Sequence, residues 1–170
     1  MENNFAFIDS QNLNKGISED ILGKNGKVIF KGWQLDFAKL RVYLKDKYSV
    51  EKAFLFIGYI PSNQSLYTIL QNAGYLLVFK PTINYANNKS KGNVDAELVM
   101  HTILEMPNYD KAVIISGDGD FHCLVEHLNK VNKLKRLFIP NHNKYSSLLR
   151  RFSPVISYID LLRNKLERKS

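Results

Sequence analysis

The sequence predicts an α/β fold built on a mainly parallel sheet, and three observations carry that prediction. Apolar runs of strand length alternate with longer segments of helical spacing, the pattern of repeated βαβ units. Several runs are apolar at nearly every position, as in strands covered on both faces: NFAFI (4–8), KAFLFIGY (52–59) and YLLVF (75–79). The chain has 170 residues, 45% of them apolar, enough for one domain with a large core.

From the N-terminus, 4–8 is a first strand that ends at Asp9. Residues 10–32, rich in Asn, Gly, Lys and Ser, read as a long loop of the kind that is functional or mobile. Apolar spacing over 35–48 fits an amphipathic helix, with Lys39, Arg41, Lys45, Asp46 and Lys47 on its wet side. After the strand 52–59, Ser62 and Asn63 open a helix to about 72, and Gly74 stops it. The strand 75–79 leads into a polar loop, 81–93, and then a helix over 94–106. Lys111 begins a fourth strand to Ser116, and Asp120 begins a helix to about 131. A fifth strand, 135–139, is stopped by Pro140; helices over 146–151 and 158–168 flank a short extended piece at 155–157. No internal repeat, low-complexity tract or linker is visible, so 1–170 reads as a single domain. The charged end NKLERKS is expected to fray as a basic tail.

The charge narrows the class of partner. There are 24 basic and 16 acidic residues, a net +8. Such an excess points to a polyanion, nucleic acid foremost, against the plainer reading of a solubilising surface. Cys123 is the only cysteine. That excludes an intramolecular disulfide and argues against a cysteine zinc site. With Phe121, Leu124 and Val125 around it, the thiol reads as buried and inert. The opening MENNFAFIDS has neither a basic leader nor a long apolar stretch, so no signal peptide, membrane span or membrane partner is expected, and the location is read as cytoplasmic.

The chemistry-bearing residues are acids at strand ends. Asp9 closes the first strand; Asp118 and Asp120, in SGDGDF (116–121), follow the fourth. In open parallel sheets ligands bind beyond the carboxyl ends of the strands, where strand order reverses. If strands one and four are neighbours, these acids share that edge, and Asp95, opening the next helix, leans over it. Clustered carboxylates repel unless protonated or neutralised. A hard divalent cation such as Mg²⁺ takes oxygen ligands and binds substrate phosphates. Each acid also has a structural reading: Asp9 as a turn former, Asp95 and Asp120 as helix N-caps. The glycines flanking Asp118 read as allowing close approach of a ligand. The segment is neither a dinucleotide fingerprint, because His122 stands where the third glycine belongs, nor a calcium loop.

FIDSQNLNKG (7–16), KGNVDAELVM (91–100) and SGDGDF (116–121) resemble, in this order, the three motifs of the NYN domain, a family in the PIN-like nuclease superfamily. The resemblance covers about residues 4–160. It implies a three-layer α/β/α sandwich with strand order 3-2-1-4-5 and a Mg²⁺- or Mn²⁺-dependent ribonuclease site. It implies Asp9, Asp95, Asp118 and Asp120 as metal-binding and catalytic residues, with Asn12 and Ser116 beside them as substrate-binding residues. One position departs: many members carry an acid six residues beyond the one matched by Asp95, and this chain has His101. Histidine suits Mn²⁺ or Zn²⁺ better than Mg²⁺, which puts a second metal in doubt; the plainer reading is a satisfied helix histidine. Glu97 offers only partial compensation.

For nucleic acid, Lys89 and Lys91 precede Asp95, and Lys144, Arg150 and Arg151 follow the fifth strand. These are candidate phosphate contacts, and Tyr85 and Tyr145 are candidate stacking surfaces for a single strand. The leading expectation is a metal-dependent endoribonuclease acting on single-stranded RNA. The alternative is an RNA-binding or regulatory module with a weakened site, which His101 motivates; a phosphatase is the third reading. A homodimer is left open.

Overall fold

A computed structural model describes residues 1–80, 83–84, 90–91 and 94–170. In chain order its elements are β1 (Asn4–Asp9), α1 (Ser10–Ser18), β2 (Ile21–Leu22), β3 (Val28–Phe30), α2 (Phe37–Tyr48), β4 (Val50–Gly58), α3 (Gln64–Asn72) and β5 (Tyr75–Lys80). There follow β6 (Ile83–Asn84), β7 (Ser90–Lys91), α4 (Asp95–Leu104), β8 (Ala112–Ile115), α5 (His122–Lys130), β9 (Leu134–Ile139), β10 (Ile156–Tyr158) and α6 (Arg163–Leu166), with 3₁₀ segments between, the longest of them Ser147–Val155.

The strand period of two sorts β1 between two cores. Phe5 and Phe7 point into a layer with Leu98 of α4 and Leu124, Val125 and Leu128 of α5. Ala6 and Ile8 point into the opposite layer with Leu13 of α1, Leu40 and Leu44 of α2 and Leu70 of α3. All six residues of β1 are buried. On the first face the Phe7 and Phe54 rings stack at 5.3 Å.

The sheet order is β10-β9-β8-β1-β4-β5, and every neighbouring pair is parallel. The five expected strands therefore stand in the order 3-2-1-4-5, in a helix–sheet–helix sandwich. A sixth strand, β10, is added at the edge where only a short extended piece was expected. Strand order reverses between β1 and β8. Ile8 pairs with Ile115 and Asp9 with Phe56, which sets the carboxyl ends of β1, β4 and β8 level with one another.

Three expectations need correction. Residues 10–32 are not a loop: Asp9 caps α1 by accepting from the Asn12 N–H at 3.2 Å, Leu13 and Ile17 bury one turn apart, and β2 and β3 form an antiparallel hairpin. The region 158–168 is not one helix but the end of β10, a 3₁₀ turn (Asp160–Leu162) and α6. The C-terminal segment is not frayed through Arg168. Leu166 is buried, the Arg168 N–H donates to the Gln34 carbonyl at 2.9 Å, and Lys39 Nζ donates to the Glu167 carbonyl at 2.7 Å. Within the expected polar loop, β6 and β7 pair antiparallel. Lys89, Tyr85 and the side chain of Lys91 lie outside the described residues.

Candidate functional site

Three helices start at the level edge, and each brings a carboxylate. Asp9 ends β1 and caps α1. Asp118 follows β8 and caps the 3₁₀ turn Gly119–Phe121, which runs into α5, by accepting from the Asp120 N–H at 2.9 Å. Asp95 is the first residue of α4. One ligand atom from each of the three lies within 4.8 Å of the others. For Asp9 and Asp118, capping and clustering coincide in one residue. Asp95 is not the cap of its helix, since Val94 holds that position. Asp120 is not a cap either: Asp118 is, and Asp120 is exposed and stands apart from the three-acid group.

A short network holds the group. The Ser116 hydroxyl donates to Asp9 Oδ2 at 3.2 Å and accepts from the Asp118 N–H at 3.1 Å. Asn12 Oδ1 accepts from the Gly117 N–H at 2.7 Å. Ser116 and Asn12, expected beside the substrate, thus brace the loop that carries Asp118. Burial pushes the Asp9 carboxyl above its ordinary range, and the Asp118 charge adds to this. Hydrogen bonds from the Asn12 N–H and the Ser116 hydroxyl work against it, and so does the positive end of α1. A desolvated acid among like charges is the environment that a cation relieves. The donor set is all oxygen, which suits Mg²⁺ or Mn²⁺ rather than a soft metal.

The glycines also have a packing role. A Cβ on Gly119 would lie 2.3 Å from Ser146 Oγ and 2.9 Å from Ser146 Cβ. A Cβ on Gly117 would lie 3.2 Å from Tyr145 Cβ. Both residues are small because the segment after β9 packs against the loop. His101 is not part of the three-acid group; its ring lies 5.4 Å from that of Phe56, and Glu97 pairs with Lys80 at 3.6 Å. His122 contacts the Gly119 carbonyl through Nδ1 at 3.0 Å. Cys123, read as buried, is exposed; Leu124, Val125 and Leu128 form the buried stripe of α5 instead.

Two cavities flank the cluster. The larger, of about 590 Å³, adjoins Gly117 and Asp118 and is lined by Lys15, Glu19, Lys144 and Tyr145 among others. Arg150 lies over the Tyr145 ring at 6.0 Å, whereas Arg151 pairs with Glu126 at 3.4 Å. Lys15 escaped sequence reading because the helix that presents it did. The smaller cavity, of about 330 Å³, lies on the β4 side; its only sequence signal was a run of amides, Gln11 and Asn14 on α1 with Asn63 before α3.

Comparison with known proteins places this geometry. The family model described as NYN domain matches residues 5–160. Among solved structures, a protein of unknown function from Vibrio parahaemolyticus RIMD 2210633 superposes with a TM-score of 0.69 at 22% identity, covering 97% of this chain and 96% of that one. That likeness is one of fold. No curated protein matches the chain. No described helix is long and apolar enough to cross a membrane.

Proposed function

The chain belongs to the NYN domain family, a PIN-like nuclease-type domain, and from that premise we propose that it is a Mg²⁺- or Mn²⁺-dependent endoribonuclease acting on single-stranded RNA in the cytoplasm. The observation that carries the reading is the convergence of Asp9, Asp95 and Asp118 within 4.8 Å at the edge where strand order reverses. These three carboxylates would hold the ion. When bound, such a cation offsets charge developing on the phosphate and acidifies a water molecule.

The chain's own residues supply the rest. Asp9 and Asp118 present oxygens whose orientation is fixed by Asn12, Ser116 and the Asp120 N–H, so little reorganisation is left for the reaction. Asp120, two residues beyond Asp118 and exposed, would orient water or take up a proton at its carboxylate. Lys144 and Arg150 draw the phosphate backbone toward Asp118, a contribution that falls with salt.

The test is cleavage of a labelled RNA in Mn²⁺ by wild type and Asp118→Asn. Loss of turnover with an unchanged circular-dichroism spectrum supports the reading. Equal turnover refutes it. The alternative, a binding module, draws on His101 standing on Phe56 where an acid is common; RNA binding in EDTA with no turnover in Mn²⁺ would favour it.

A further inference from the structure

We infer that the smaller cavity is a base pocket that seats the nucleotide next to the scissile phosphate, with adenine its best match; this rests on the ribonuclease reading. The cavity is continuous with the acids in both chain and register. Ser10 follows Asp9, Val94 precedes Asp95, and Phe56 is the β4 partner of Asp9; all three line it. Its lining thus includes the chain neighbours of two of the three acids.

Its chemistry suits a base and not a phosphate. Among the described residues no charged side chain lines it. The charged lining is on the other side of the cluster, where Lys15 and Lys144 stand with Glu19, Asp20, Asp118 and Asp120. The walls are apolar, with Phe37, Phe56 and Ile57, and are interrupted by the amides of Gln11, Asn14 and Asn63. None of these three amides hydrogen-bonds to another described group, so each has a donor and an acceptor to spend on a ligand. An amide that offers both meets the N6 and N7 edge of adenine in a bidentate pair. Phe37 is half-buried and offers an aromatic surface to a base. At about 330 Å³ the cavity stands near the lower end of the range for ligand pockets, about 300–1,000 Å³, which fits a single base and excludes a duplex. The substrate strand would then divide at the acids, with backbone toward Lys15 and Lys144 and one unstacked base toward Asn14 and Asn63.

The experiment measures binding apart from cleavage. Short oligouridylates carrying one A, G or C, and the all-U parent, are titrated in EDTA at low salt by fluorescence anisotropy. Wild type is expected to bind the A-containing strand about tenfold tighter than the parent, about 1.4 kcal/mol. Asn14→Leu/Asn63→Leu is expected to bind all four alike, at the wild-type affinity for all-U, with an unchanged melting temperature. Gln11→Leu, at an exposed position, is a second variant and should lose part of the same preference. Equal wild-type affinity for the four strands, no binding of any, or a preference that survives in the variants overturns the base pocket. Cleavage in Mn²⁺ is scored separately: a base preference without turnover upholds the pocket and removes the nuclease reading.

Discussion

Asp9→Asn should make the metal-free protein more stable while removing its response to a divalent cation. Asp9 is 5% exposed and shares a 4.8 Å cluster with two further carboxylates. Two unit charges at that separation repel by about 3.5 kcal/mol at an effective dielectric of about 20, and Asp9 belongs to two of the three pairs. Two hydrogen bonds to the carboxylate and the helix N-termini offset most of this. Asparagine retains an acceptor for the Asn12 N–H and turns an amide toward Ser116 Oγ, so few contacts are lost. A net gain of about 1–2 kcal/mol corresponds to about 2–8 °C in Tm for a chain of this size. The sign with pH follows from the raised Asp9. Because the folded protein holds this proton more tightly than the unfolded chain, its stability falls as pH rises from the ordinary carboxylate range through the raised value. Asp9→Asn should flatten that part of the profile. The assay is thermal melting in EDTA across mildly acidic to neutral pH, repeated with Mn²⁺. At about 100 times its Kd the ion adds about 2.7 kcal/mol to wild type, roughly 5–10 °C, and much less to the variant. An Asp9→Asn protein that melts below wild type in EDTA, or gains as much from Mn²⁺, would refute the argument.

Three further outcomes are expected. Gly119→Ala should cost about 1–3 kcal/mol by overpacking against Ser146, and Ser146→Gly should restore most of it in chemical denaturation; a neutral Gly119→Ala would mean that the contact is not tight. Asn12→Ala leaves the Gly117 N–H without its acceptor, a loss of about 1–3 kcal/mol, and should shrink the Mn²⁺-induced rise in Tm because the Asp118 loop loosens; an undiminished rise would remove the bracing role. Leu166→Ala should cost about 2–5 kcal/mol if α6 is docked as described, whereas a change below about 0.5 kcal/mol, as for a surface position, would return the C-terminus to a loose tail.

The strands were legible because burial on both faces demands apolar residues at consecutive positions, as in Phe54 to Ile57. The site acids were legible because a charge directly after such a run has no packing reason to be there. Other features depended on contacts across the fold. α1 shows only Leu13 and Ile17 among Asn, Lys and Gly, and its helical state comes from packing those two and from the Asp9 cap. β10 is three residues long and gains its state from β9. The glycines beside Asp118 answer to residues far along the chain: Gly119 packs against Ser146, 27 positions beyond it, and Gly117 against Tyr145. Asp120 and Asp118 share a charge and a glycine neighbour, and only backbone geometry shows which of them turns inward.

Ser116 and Asp9, whose hydrogen bond ties the two ends of the cluster together, are 107 positions apart in the chain. Unfolded, the chain carries three separate, ordinary carboxylates with little hold on an ion. They would acquire a shared affinity only when β8 aligns beside β1. Cation binding at this edge would thereby be coupled to the native population as a whole. A titration with Mn²⁺ would then count intact molecules, and chelation would return the folded state to the margin set by its own packing.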